Sequence, residues 1–266
     1  MKVISVINLK GGVGKTFTAY NMAYELDKRG YKVLVLDNDK QGNTSKALGV
    51  YEEAGMCAAA RLLSGKWQKP EEIIQRTDTR YGGIDIIAAN MSLLAATYQI
   101  TEDQTIEQHT RYKALLEAQV EYYGNCSVWG KYDYMIIDNP PDIALNVVNA
   151  LAITDEVIVP VKIDEWALEG LDIIADQIEE AKRIKPDIKL LGALVTMYRN
   201  NDTNIAGLEW LEKKSPVKLL AKIRYTDKAA ESTFFGKPIY EYSPRCGAAQ
   251  DYKNFITEYL ERKRGK

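Results

Sequence analysis

At 266 residues, with 46% hydrophobic and 27% charged side chains, the chain can bury a substantial core and leaves little room for disorder. A net charge of -2 excludes an overall cationic nucleic-acid binder while permitting a local basic patch. One histidine and three scattered cysteines (Cys57, Cys126, Cys246) exclude a His-centred triad, a disulfide framework and a Cys/His metal site, so reduced thiols in a cytoplasmic protein are expected.

The opening "MKVISVINLKGG" lacks the long apolar segment and cleavage site of a signal peptide. It reads instead as a first strand, Val3–Ile7, running into a glycine loop. An amphipathic helix follows over Phe17–Arg29, closed by Gly30, and then a strand over Lys32–Leu36. Tyr51–Thr79 is the least regular stretch and is expected to cover one edge of the core. Beyond a strand at Ile84–Ala88, His109 continues a helical stripe of Ile106, Leu116, Val120 and Tyr123, which argues for a structural histidine. Strands at Tyr134–Ile137 and Glu156–Val161 precede a helix over Leu168–Ile184, stopped by Pro186. Two more strands, Leu190–Thr196 and Lys218–Ile223, lead to a last helix with Tyr252, Phe255, Ile256, Tyr259 and Leu260 on one face, spaced to pack on the body. Several strands are apolar at nearly every position, as strands buried on both faces must be. The alternation predicts an α/β fold, a doubly wound and mostly parallel sheet with helices on both faces. No repeat or linker divides it, so residues 1–266 are read as one domain. No uncharged apolar run approaches membrane-spanning length.

The stretch "NLKGGVGKTFT", Asn8 to Thr18, ends in the Gly14-Lys15-Thr16 close of a phosphate-binding loop. The pattern G-x-x-x-x-G-K-[ST] wants its first glycine at position 9, where Leu9 stands with Lys10 beside it. The loop still follows a strand and opens a helix, so free backbone N–H groups face a ligand. Gly11, Gly12 and Gly14 let the backbone approach phosphates without a Cβ in the way. Lys15 suits the β- and γ-phosphates, and the Thr16 hydroxyl suits Mg²⁺. A glycine turn without a ligand is the plainer alternative.

Asp37 and Asp39 in "VLVLDNDKQGN" and Asp138 in "YDYMIIDNPPD" stand at strand exits, where open α/β sheets bind ligands. Singly, each reads equally well as a strand-end residue or a helix cap. Beside a phosphate loop, Asp138 matches the carboxylate that holds Mg²⁺, directly or through water.

Taken together, "KGGVGKT", "DNDKQGN" and "DNPPD" resemble the deviant Walker A, switch I and switch II motifs of the ParA/MinD ATPases. The resemblance continues through "IIAANMSLL", "NALAITDEVIVPVKIDEWALEGL", "GALVTMY" and "FFGKPIYEYSPRCGAAQDY", and is strongest to the short, Soj-like ParA proteins of plasmid and chromosome partition. It implies a P-loop ATPase with ATP and Mg²⁺ in contact with Lys10, Gly11, Gly12, Val13, Gly14, Lys15, Thr16 and Phe17. In such proteins the early lysine, here Lys10, crosses an ATP-bound homodimer to the partner subunit's phosphates, whose charge must be neutralised in the transition state. The resemblance implies that Asp39 orients the attacking water, and that Asp37, in the same switch, assists the metal shell. The resemblance also implies slow intrinsic turnover, stimulated by a ParB-like centromere-binding protein.

The family's dimers bind duplex DNA without sequence preference, which would place this protein on the nucleoid when ATP-bound. The candidate cations are Arg199, Lys222, Arg224 and Lys228, with Arg262, Lys263, Arg264 and Lys266 in the tail. A MinD-like membrane switch is the rival, and would need the terminal helix for lipid. The cysteines do not sit in the motifs of the related iron–sulfur reductases, and the tyrosines are spread out, unlike the C-terminal cluster of related tyrosine kinases. The chain departs from the family pattern at Lys40, where proline is usual, and at Asn139 and Asp142, where switch II more often has Cys and Ser. Lys222-Ile223-Arg224 likewise replaces an Ile-Pro-Arg.

Overall fold

Val33, Val35, Tyr134 and Ile136 pack into one apolar cluster, while Leu34, Leu36, Met135 and Ile137 pack into another. This period-two division is what a strand covered on both faces requires. The computed structural model describes residues 1–77, 83–103, 105, 107–120 and 126–264. Its strands are β1 (Lys2–Val6), β2 (Val33–Asp37), β3 (Gln75–Arg76), β4 (Asp85–Ile87), β5 (Gln119–Val120), β6 (Cys126–Ser127), β7 (Tyr134–Asp138), β8 (Glu156–Lys162), β9 (Lys189–Tyr198) and β10 (Leu219–Arg224).

An eight-stranded sheet runs in the order β10-β9-β8-β1-β7-β2-β4-β3. Every pairing in it is parallel except β3 with β4 at the edge, and β5 and β6 form a separate antiparallel ribbon. Each strand expected from the sequence is present. The short edge strand β3 and the ribbon were not expected, because two-residue strands carry no periodic signal.

On one face lie the first helix, Lys15–Lys28, and the terminal helix, Gly247–Arg264. Tyr252, Phe255, Ile256, Tyr259 and Leu260 of the latter are all buried in the same cluster as Ala19, Met22 and Leu26. The other face carries Ala58–Ser64, Ser92–Glu102, Leu145–Leu151, Glu165–Ala181 and Asp202–Lys213. The irregular stretch after Tyr51 supplies Ala58–Ser64 and β3, and so closes the β4 edge.

The helical stripe through His109 does not form. Among the described residues of that stretch only Lys113–Glu117 is helical, and His109 sits in a loop with its side chain 53% exposed. Thr105, whose N–H and hydroxyl both donate to Asp103 Oδ1, turns the chain out of Ser92–Glu102 first. Ile106 and Tyr123 of that stripe lie outside the described residues.

One glycine is fixed by packing as well as conformation. Gly192 (φ +147°) sits at the register shift between β8 and β9, where an added Cβ would lie 2.1 Å from the Lys218 carbonyl oxygen. Gly192→Ala is expected to destabilise the fold by about 2–4 kcal/mol, combining backbone strain with overpacking. A urea titration should show a lower midpoint; an unchanged one would mean that the edge strand β10 relaxes freely.

Candidate nucleotide-binding site

The loop after β1 is glycine-rich for a backbone reason. Gly12 (φ +72°) and Gly14 (φ +85°) both take the left-handed conformation, and Gly14 is the residue from which the first helix starts. Nothing lies within 4 Å of a Cβ built on Gly11 or Gly12, so that side of the loop is open. Val13 is buried, and its carbonyl accepts the Thr196 hydroxyl at 2.8 Å, tying the loop to β9. Asn8 anchors the other end: its Nδ2 donates to the Pro160 carbonyl at 2.7 Å, and its Oδ1 accepts the Lys10 N–H at 2.8 Å.

Both lysines of the loop rest on acceptors of this chain. Lys15 Nζ donates to the Lys10 carbonyl at 2.9 Å. Burial pulls its pKa below the ordinary lysine value, against the opposing charges of Asp138, Asp39 and Asp142. Lys10 Nζ lies 2.6 Å from each carboxylate oxygen of Asp164, which stands at the start of the helix Glu165–Ala181.

Strand register sets the carboxylates. Asp37 and Asp138 are directly paired at the ends of β2 and β7. Burial raises both pKa values, and for Asp37 the neighbouring Asp138 charge adds to the rise. Asp37 Oδ2 accepts both the N–H and the hydroxyl of Ser45, at 2.8 and 2.7 Å, and its Oδ1 accepts the Asp39 N–H at 3.2 Å. These bonds tie Asp37 to the segment that carries Asp39 and Ser45. Asp138 Oδ2 accepts the hydroxyls of Thr16 and Thr44, at 2.8 and 2.7 Å, whereas its Oδ1 is buried with no hydrogen-bond partner. A carboxylate oxygen left over beside a threonine hydroxyl is a hard-oxygen donor set that fits Mg²⁺, an ion that takes one or two carboxylates and completes its shell with phosphate and water.

Asp39 is buried to 8% exposure, and its Oδ1 accepts the Gln41 N–H at 2.9 Å. A cleft of about 930 Å³ passes Gly11, Lys15, Thr16, Asp39, Lys40 and Lys237. It adjoins an apolar hollow of about 260 Å³ bounded by Phe17, Met197, Ile223, Tyr225 and Ala229. Met197 is the one non-glycine with positive φ (53°) among the described residues, and it borders both spaces. The role of Thr44 was not anticipated from sequence; its signal was a hydroxyl five residues after Asp39, in the loop already singled out.

The basic candidates divide. Arg224 makes a two-pronged pair with Asp251, at 2.8 Å to each oxygen, and Lys228 pairs with Glu231 at 2.7 Å. Arg199 stacks 3.6 Å above the Tyr225 ring, and Lys222 lies 4.9 Å from the centre of the Tyr198 ring, contacts that leave their charge available. Arg262 pairs with Glu258. The side chains of Lys263 and Arg264, and Lys266 altogether, lie outside the described residues.

Residues 1–190 match the AAA domain family. The chromosome partitioning protein ParA of Caulobacter vibrioides is 30% identical over 267 residues, covering 99% of this chain and 96% of that protein. The sporulation initiation inhibitor protein Soj of Bacillus subtilis is 32% identical over 261 residues, covering 97% of each. Among solved structures, a Mycobacterium smegmatis protein described as cobyrinic acid a,c-diamide synthase, with bound ATP analogue and magnesium, has a TM-score of 0.78 at 27% identity. That match covers 100% of this chain and 97% of the other. A phosphate loop of this geometry, the family match and full-length relatives at this identity agree: the chain belongs to the ParA/Soj family of AAA-domain partition ATPases.

Proposed function

We propose that this chain is an ATP-dependent dimeric switch for plasmid, chromosome or mobile-element partition. It binds duplex DNA without sequence preference when loaded with ATP, and it resets by slow hydrolysis that a ParB-like centromere-binding partner accelerates. The observation that carries the reading is Asp138. Its Oδ2 gathers the hydroxyls of Thr16, the last residue of the loop motif, and Thr44, and its Oδ1 is buried without a hydrogen-bond partner.

In this reading the loop N–H groups from Gly11 to Thr16 wrap the phosphates, and Lys15 leaves the Lys10 carbonyl for the outer ones. Thr16 and Asp138 would hold Mg²⁺, which when bound neutralises charge on the phosphate oxygens. The apolar hollow beside Phe17 and Met197 suits the flat face of a purine. Asp39, already turned toward the cleft, orients the attacking water. Lys10 reaches the partner subunit's phosphates only by leaving Asp164, so dimerisation and nucleotide state become one coupled equilibrium.

For DNA, Arg199 and Lys222 are, among the described candidates, the cations without an ion-pair partner, while Arg224 and Lys228 are ion-paired within the chain. The membrane reading is disfavoured, because the terminal helix buries its apolar face against the body. No helix among the described residues is long and apolar enough to cross a membrane.

Gel shifts at low salt test the DNA step. With ATP, duplexes of unrelated sequence should be retarded alike and released as salt rises. Arg199→Ala and Lys222→Ala should weaken the complex more than Arg224→Ala does. Absence of a complex on every duplex would sink the DNA-binding part of the reading.

A further inference from the structure

Two side-chain links join the switch segments, and they fall on either side of Asp39. Asn38 Nδ2 donates to Asn139 Oδ1 at 2.9 Å, and Lys40 Nζ meets Asp142 Oδ2 at 3.3 Å. Lys40, Asn139 and Asp142 are all among the positions at which this chain departs from the pattern it otherwise resembles.

The inner link is buried, with Asn38 at 0% and Asn139 at 1% exposure. Its other polar atoms are also satisfied. Asn38 Oδ1 accepts the Tyr112 hydroxyl at 2.9 Å, and Asn38 Nδ2 also reaches the Asn146 carbonyl at 3.2 Å. Asn146 Nδ2 donates back to the Asn38 carbonyl at 2.8 Å, and Asn139 Nδ2 donates to the Val6 carbonyl at 3.3 Å. The backbones join as well, through the Asn38 N–H and the Asp138 carbonyl at 2.9 Å. A buried network with every member paired favours a single arrangement, since any slip leaves an amide unpaired in a low-dielectric interior. The outer link is half-exposed and weak taken alone. Its significance is positional, because it restrains the loop just past Asp39.

We propose that Asn38–Asn139 and Lys40–Asp142 are positioning pairs. They make the two switch segments one body, so that Asp39 keeps its aim into the cleft and its spacing from Asp138. The proposal rests on the reading of Asp39 as the residue that orients water. Its consequence is that turnover, more than ATP affinity, depends on Asn38, Asn139 and Asp142, which do not line the cleft, and on the ion pair that Lys40 makes at its wall.

The test compares the full-length wild type with Asn139→Ala, Asp142→Ala, Lys40→Met, the Lys40→Met/Asp142→Ala double variant and Asp39→Ala. The readouts are kcat and KM for ATP, and hydrogen exchange of the Gln41 and Gly42 amides without nucleotide. Asn139→Ala should lower kcat about tenfold with KM changed less than about twofold, and should speed exchange at both amides. Lys40→Met and Asp142→Ala should each lower kcat about threefold, and the double variant should be no worse than either, because the two act through each other. Wild-type exchange in Asn139→Ala and Asp142→Ala, or losses that multiply in the double variant, would overturn the proposal. If Asn139→Ala does not fold, the half-exposed Asp142 still decides the matter. An Asp39→Ala variant with wild-type turnover would bring down the underlying reading and this proposal together. An inactive Asp39→Ala beside unchanged Asn139→Ala and Asp142→Ala would bring down the positioning alone.

Discussion

Lys15→Ala is expected to abolish measurable nucleotide binding, weakening ATP affinity by about 100-fold or more. The ammonium is buried in the phosphate loop and held on the Lys10 carbonyl, poised to exchange that neutral acceptor for a phosphate oxygen. A hydrogen bond between charged groups contributes about 1.5–3 kcal/mol, and losing two of them accounts for the fall. The surroundings sharpen the effect. Asp138, Asp39 and Asp142 all act on Lys15 electrostatically, so its removal leaves a cleft of carboxylates facing a polyanion. A fluorescent ATP analogue titrated against the variant measures the loss, with circular dichroism to show that the fold survives. Near-normal affinity would contradict the assignment of this loop to phosphate.

Asp39→Ala should behave oppositely: ATP bound, dimer formed, hydrolysis slowed about 100-fold. The carboxylate borders the cleft, yet its Oδ1 accepts the Gln41 N–H and no cation of the chain neutralises it at ion-pair distance among the described residues. It can therefore orient a water without first breaking a salt bridge. Single-turnover hydrolysis, with light scattering for the dimer, separates the two functions. Turnover at the wild-type rate would remove Asp39 from the mechanism, and loss of ATP binding would make it a structural residue of the switch.

Much of the sheet was legible because its signal is local. Runs such as Val33–Leu36 and Tyr134–Ile137 are apolar at successive positions, and each strand's two faces are filled by alternate residues. The region around His109 was misread for the converse reason. A helical spacing of apolar residues is necessary for a helix but does not outweigh a turn such as Asp103–Thr105 that redirects the chain. The phosphate loop was legible because all of its chemistry lies in one stretch, from Lys10 to Phe17. The fate of the basic candidates was only partly so. Lys228 and Glu231 stand three apart on a helix, a spacing that can be read from sequence, whereas Arg224 and Asp251 are separated by 27 positions.

Sequence alone determines the longer strands of the sheet and marks the glycine loop between the first strand and helix, because both signals lie in residues a few positions apart. It is silent on what each polar group does at the crevice. Asp37, Asp39 and Asp138 look alike as letters at strand ends. Strand register sets Asp37 against Asp138, and the fold gives Asp37 to Ser45, Asp39 to the cleft and one oxygen of Asp138 to Thr44 and to Thr16 of the first helix. The Asn38–Asn139 and Asn38–Tyr112 contacts join positions 101 and 74 residues apart. Hydrogen bonds reach about 3 Å, so such partners are chosen by how the sheet and its covering helices pack.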